Sequence, residues 1–236
     1  MTVLTPTVKL HLNKREQTFA VPVYITATVA LISVVISLLF WRSGSVPGSV
    51  DWVQNSRVNP GIAWSLAGFL IYFGVQSVAT TFPFALTLGA SRRSFVFGTL
   101  SWAVLTSAYL TALFAVLLVA ELVTDHWFVG FHIFDVNLLG AGEMTRLIPT
   151  VFFGALTMLA IGGVFAASWV RYGPRGPIAL GAGVTVLLTI ALSVAMPWLG
   201  EIAAASALWW LVVAAVGATA IANSGMWLML RSASVR

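Results

Sequence analysis

The chain has 236 residues, 59% hydrophobic and 8% charged, with a mean hydropathy of +0.97. An ordinary soluble domain is about 45–50% apolar and about 25% charged, so this composition excludes a soluble fold. Cysteine is absent, which excludes disulfides, thiolate metal sites and lipidated cysteines, and the formal charge of +5 has to be read by position before it implies any partner.

Residues 1–20 form a polar, basic segment with Lys9, Lys14 and Arg15, and Val8–Phe19 is a candidate interfacial helix with Val8, Leu12 and Phe19 on one side. A bilayer core of about 30 Å needs about 20 helical residues. Six apolar stretches meet that length between residues 21 and 230: Val21–Trp41, Gly61–Leu86, Phe95–Ala120, Leu147–Trp169, Pro177–Met196 and Ala203–Leu230. They are continuous rather than alternating, which excludes a β-barrel. The expected fold is therefore all-α, a six-helix transmembrane domain followed by a tail at 231–236. Arg42–Pro60 reads as a polar loop, Thr87–Ser94 as a short basic turn, and Arg171–Gly176 as a tight turn.

Lys/Arg bias sets the expected orientation. With the N-terminus inside, Lys9, Lys14, Arg15, Arg92, Arg93, Arg171, Arg175, Arg231 and Arg236 lie inside, nine of the twelve basic residues. Arg42, Arg57 and Arg146 lie outside. The acids reverse this: Asp51, Glu121, Asp125, Asp135, Glu143 and Glu201 are outside and Glu16 alone is inside. Both termini are expected in the cytoplasm of a multi-pass plasma-membrane protein. The basic excess is then a topology signal and requires no nucleic acid. Trp41, Trp52, Trp64, Trp127 and Trp198 fall at the outer interface, Trp169 and Trp227 at the inner one, while Trp102, Trp209 and Trp210 lie deeper.

No Asp, Glu, Lys, Arg or His falls inside the six stretches, which weighs against a proton-driven carrier, a pump or a voltage sensor. A phosphate-binding loop needs a lysine after a glycine-rich turn, and Lys9 and Lys14 are the only lysines. Metalloprotease and serine-hydrolase signatures are absent, so no catalytic residue is assigned and the chain is not expected to be an enzyme. The outer loop gathers Asp125, His126, His132, Asp135 and Glu143. A metal or proton site would need three or four converging ligands. The expectation is instead an interfacial segment, with Trp127, Phe128, Phe131 and Phe134 on the bilayer and no metal. Gln76, Thr106, Thr185, Thr189, Ser193 and Asn223 are candidate lining for a pathway, although such groups serve more often as hydrogen-bonding glue between helices. Gly162, Gly163, Gly181 and Gly183 are read as points of close helix approach.

The segment Leu88, Gly89, Ser91, Arg92, Arg93, Phe95, where one span turns directly into the next, resembles the first cytoplasmic loop of the ABC-2 type permease family. These are the membrane subunits of bacterial ABC exporters, actinobacterial ones among them. The six-span layout and the basic N-terminal segment are similar as well. The resemblance implies a permease subunit that forms the translocation pathway and docks this turn on a separate ATPase. Two ATPase subunits and a second permease subunit, the same chain or a homologue, are the implied partners. It implies no cofactor on this chain, with ATP and Mg on the ATPase. The very short connection between spans 5 and 6 leaves no room there for a large external domain. An ion-coupled or uniporting carrier, or a non-transport sensor or assembly protein, are the alternatives left by the residues alone.

Overall fold

A computed structural model describes residues 5–198, 200 and 208–233. Among the described residues the chain is helical, with no strand: α1 (Thr5–Leu12), a π-helical turn at Glu16–Ala20 leading into α2 (Val21–Arg42), α3 (Val50–Val58), α4 (Gly61–Trp64), α5 (Ala67–Ala79), α6 (Thr81–Thr87), α7 (Arg92–Val123), α8 (Met144–Tyr172), α9 (Arg175–Ala195) and α10 (Leu208–Leu230). Among the described residues six helical stretches are long and apolar enough to cross a membrane: Glu16–Arg42, Val50–Thr87, Arg92–Val123, Met144–Tyr172, Arg175–Trp198 and Val212–Leu230. The expected start of the sixth span at Ala203, Glu201 and the tail beyond Ala233 lie outside the described residues.

Local chemistry explains where the second stretch is broken. Ser49 caps α3 by accepting from the Trp52 N–H at 3.3 Å, so the expected polar loop contains a helix. Ser65 Oγ donates to the Ile62 carbonyl at 2.7 Å where α4 ends. Pro83 has no N–H for the carbonyl of Ala79, and Thr80 Oγ1 donates to the Gln76 carbonyl at 2.7 Å, which together separate α5 from α6.

The chain divides into two compact units, residues 1–11, 71–103 and 156–236, and residues 12–70 and 104–155. In the first, Val78, Phe82, Phe95, Ala166, Ala167, Met226 and Leu230 form a buried core. Its backbones approach closely at Gly74 and Gly162: a Cβ on either would strike the facing helix backbone, at Leu159 O and Ile71 O. Of the four glycines read as close approaches, Gly162 fits most tightly, while a Cβ on Gly183 would meet nothing within 4 Å.

The N-terminal helix is held differently from the expectation. Thr7 and His11, one turn apart, form its buried face, not Val8, Leu12 and Phe19. His11 Nε2 lies 3.0 Å from Thr99 Oγ1, and the His11 ring stacks on Trp102 at 4.9 Å between centroids. Gly98 provides the room, since a Cβ there would sit 2.6 Å from Thr7 Cβ. The weak apolar stripe gave no sign of this because the buried face is polar.

In the second unit Tyr109 donates its hydroxyl to the carbonyl of Phe19, within the π-turn, at 2.9 Å. Trp52 and Phe131 stack at 5.8 Å, and Trp52 Nε1 donates to the Gly130 carbonyl at 2.7 Å. Phe134 meets Phe114 edge-on at 5.9 Å. Phe131, Phe134 and Trp52, expected at the bilayer interface, are therefore core residues with 3%, 2% and 6% of their surface exposed.

Candidate functional site

Two places bring polar chemistry together: the α6–α7 turn in the first unit and the α7–α8 loop in the second.

The α6–α7 turn reverses the chain through Gly89, whose φ of +81° is open to glycine and strained for other residues. Ser91 Oγ accepts from the Ser94 N–H at 3.1 Å and so caps α7. Phe95 is fully buried and meets Phe82 edge-on at 5.1 Å, anchoring the turn from below. Arg92 is turned to an internal task. Its Nη1 donates to the carbonyls of Leu230 and Arg231 at 3.0 and 2.8 Å, at the C-terminal end of α10. Arg171 does the same to the Leu228 carbonyl at 2.9 Å. A cation there satisfies orphan carbonyls and opposes the helix dipole. Leu88 (67% exposed) and Arg93 remain on the surface, the latter 5.7 Å over the Phe97 ring.

The candidate pathway residues fall in both units, Thr106 in the second and the others in the first. Gln76 donates to the Tyr72 hydroxyl at 2.9 Å on its own helix. Thr189 and Ser193 donate to the carbonyls of Thr185 and Thr189. All three residues lie on α9, whose apolar window is entirely unburied. Asn223 donates to the Thr219 carbonyl at 2.9 Å and lines a narrow pocket with Ser77, Thr99 and Trp102. Thr106 is buried, and its hydroxyl has no partner.

The α7–α8 loop is a built polar centre, in which His126, His132 and Asp135 of the expected cluster are joined by Glu121 and Arg57. Glu121, in the last turn of α7, is fully buried. Its Oε2 accepts from Phe134 N at 2.7 Å and Trp127 Nε1 at 3.1 Å, and its Oε1 from Ile133 N at 3.1 Å and Asp135 N at 3.2 Å. One carboxylate thus organises a whole loop. Asp135, placed by those bonds, gathers four contacts on one oxygen. Its Oδ2 accepts from Arg57 Nε and Nη2 at 3.1 and 2.7 Å, His126 Nε2 at 3.1 Å and His132 Nδ1 at 2.9 Å. Asp135 Oδ1 has no hydrogen-bond partner and packs where a Gly142 Cβ would come within 3.2 Å. Burial opposes ionisation of Asp135, but the bonds from His132, Arg57 and His126 outweigh it and hold its carboxyl well below the usual carboxylate range.

The backbone reaches this arrangement at a cost. Asp125, His126, Trp127 and Phe128 are consecutive residues with φ of 50°, 57°, 60° and 64°. A left-handed turn of L-residues costs roughly 1–2 kcal/mol per residue. Phe128 N donates to the Thr124 carbonyl and Trp127 N to Thr124 Oγ1, which fixes the turn. The result is that His126 lies against His132, with 4.0 Å between ring centroids. Glu121, His126 and His132 form a donor group able to hold a metal ion. Asp125 and Glu143 stand apart from it: Asp125 is fully exposed, 3.6 Å from His126 Nδ1, and Glu143 pairs with Arg146 at 2.7 Å. His132 also lines a cavity of about 900 Å³ bordered by Ser33 and Ser37 of α2 and by Asp51, Trp52, Asn55 and Asn59 of the α3 region.

Comparison of the chain with protein-family models, curated proteins and solved structures gave no match.

Proposed function

We propose that the chain is the membrane subunit of an ABC exporter of the ABC-2 type, which couples to a separate ATPase through the turn Leu88–Phe95. The observation that supports this most directly is the form of that turn. It is a short projection fixed from beneath by Phe95, Ser91 and Arg92, and it leaves Leu88 and Arg93 free on its surface. A projection that transmits force has to be rigid at its base and complementary at its tip. Apolar and cationic groups at the tip suit a cleft with an acidic rim, where a desolvated charge pair is worth more than a surface one.

In this reading both termini and the α6–α7 turn are cytoplasmic, and the α7–α8 loop is external. A second permease subunit completes the pathway. The unburied α9, with its hydroxyl row Thr185, Thr189 and Ser193, is the surface most in need of a helical neighbour or lipid. ATP and Mg belong to the ATPase, and the transported substrate is an open class.

The test is a photo-crosslinker placed at Leu88 in the full chain in native membranes. The expected product joins the chain to a protein carrying an ATP-binding cassette, and Arg93→Glu should remove it while the membrane level of the chain holds. Transport by the purified chain in vesicles without nucleotide would sink the reading in favour of an autonomous carrier.

A further inference from the structure

The donor group in the α7–α8 loop is not used by coupling at the α6–α7 turn. One potential ligand atom from each of Glu121, His126 and His132 lies within 4.8 Å of the others. The hydrogen bonds of the two histidines decide which nitrogens are free. A carboxylate oxygen only accepts, so the protons on His126 Nε2 and His132 Nδ1 are the ones directed at Asp135 Oδ2. In the neutral rings, His126 Nδ1 and His132 Nε2 then keep their lone pairs. Metal-binding imidazoles are ordinarily prepared in this way, with the remote N–H given to a carboxylate that fixes the tautomer and raises the basicity of the other nitrogen.

We propose that the α7–α8 loop binds one divalent transition-metal ion of the zinc class through one ring nitrogen of each of His126 and His132 and a carboxylate oxygen of Glu121, with Asp135 as the positioning residue. Two imidazoles and a carboxylate suit Zn²⁺, Cu²⁺ or Ni²⁺ rather than Mg²⁺ or Ca²⁺, which take oxygen donors. Three protein ligands leave a fourth position for water or an incoming group, as in zinc sites that exchange ligands. Tetrahedral bonds of about 2.0–2.1 Å set ligands about 3.3 Å apart, so no pair has to close by more than about 1.5 Å. Glu121 can give up its Trp127 bond and still hold the loop through the backbone N–H groups of Ile133 and Asp135. His132 lines the cavity of about 900 Å³, which provides a route for the ion.

The backbone is a second, independent observation. Four successive left-handed residues place His126, yet Phe128 is 84% exposed and the Asp125 side chain fully so, and neither gains burial from the turn. The strained turn sets His126 against His132 and Trp127 Nε1 on Glu121, so the strain is held where the donor group is assembled, which is a mark of function.

The experiment uses the full chain without a histidine tag, in detergent micelles, titrated with Co²⁺ as a visible-absorption probe and then with Zn²⁺ in competition. The expected result is one saturable ion per chain with the intense bands of a four-coordinate site, displaced by Zn²⁺. His126→Gln and His132→Gln should each lower affinity at least tenfold, and Asp135→Asn about 10–100-fold without removing a ligand. Bound Zn²⁺ should also shield His126 and His132 of the unsubstituted chain from carbethoxylation, read by peptide mass, so the proposal stays testable if a variant fails to fold. Absence of saturable binding by the unsubstituted chain, binding unchanged in both histidine variants, or no shielding would each overturn it. None of these outcomes bears on docking at Leu88.

Discussion

At the residue scale, Asp135 joins Arg57, His126 and His132 of the second unit through one carboxylate oxygen. Its side chain is fully buried and Arg57 keeps 35% of its side chain exposed, so the pair is half in and half out of solvent. Asp135→Asn leaves Arg57 and two imidazole N–H groups without a charged acceptor. The cost should be ~3 kcal/mol, the lower end of what removing one partner of a buried pair takes, because Arg57 can turn to water. Thermal unfolding in detergent measures it. The pH dependence has a defined sign. The folded-state carboxyl titrates below its unfolded value, so the stability it contributes is complete above the ordinary carboxylate range and is lost as pH falls through the depressed value. An acid melt should therefore be shallower in Asp135→Asn than in the unsubstituted chain below about pH 4. The sequence places His126, His132 and Asp135 in one loop, but the parts that Arg57 and Glu121 play were not legible. Asp135 and Arg57 are 78 residues apart, and the stretch Phe131–Phe134 reads as a membrane-facing aromatic run until Glu121 is seen to accept its N–H groups.

The two arginines of the α6–α7 turn separate at the same scale. Arg92→Gln withdraws a cation from two carbonyls at the end of α10 and should cost about 1 kcal/mol of stability. Arg93→Gln should cost nothing measurable in stability, since its contact is an exposed ring. Adjacent arginines look alike in sequence, and only the fold assigns them different partners. A loss of coupling in Arg92 variants is therefore ambiguous, whereas in Arg93 variants it is informative.

At the scale of elements, the long helices were legible because each needs only an apolar run longer than the bilayer core. Their interruptions were less so. α3 was hidden by its polar composition, and its start is marked only by the Ser49 cap. The left-handed turn at Asp125–Phe128 was invisible, since no residue there signals positive φ as glycine would. It makes a specific prediction. Phe128→Gly removes an exposed side chain from a left-handed residue and should be neutral or stabilising by up to ~1 kcal/mol, offset by the greater freedom of glycine when unfolded. Phe114→Gly, on a buried ring against Phe134, should lose several kcal/mol in the same thermal assay. Gly162 behaves oppositely to Phe128: Gly162→Ala drives a methyl into the Ile71 carbonyl and should cost ~1–3 kcal/mol by forcing the helices apart.

At the scale of the whole molecule, topology is the reading on which the proposed function depends, and the absence of native cysteine makes it directly measurable. The count of nine basic residues to three favours cytoplasmic ends, but two of the nine, Arg92 and Arg171, have a structural task in capping α10 that would keep them there in either orientation. Removing them leaves seven to three, and the acid distribution is unchanged, so the positive-inside bias still decides. The fold also selects the labelling sites. Asp135 is fully buried and would report accessibility of the loop core rather than of a membrane face, whereas Asp125 is fully exposed and Asp51 lies on an exposed helix start. Single cysteines at Asp51 and Asp125 should react with an impermeant thiol reagent in intact cells. Cysteines at Ser91, in the exposed α6–α7 turn, and at Gly173, in the α8–α9 turn, should react only after permeabilisation. Gly173 has a φ of +65° and will accept cysteine with some strain, so Ser91 is the deciding position. Labelling at Ser91 from outside would turn the molecule over. It would put the Leu88–Phe95 turn beyond the reach of any cytoplasmic ATPase and the histidine pair of the α7–α8 loop on the cytoplasmic side, and the exporter reading would fall with it.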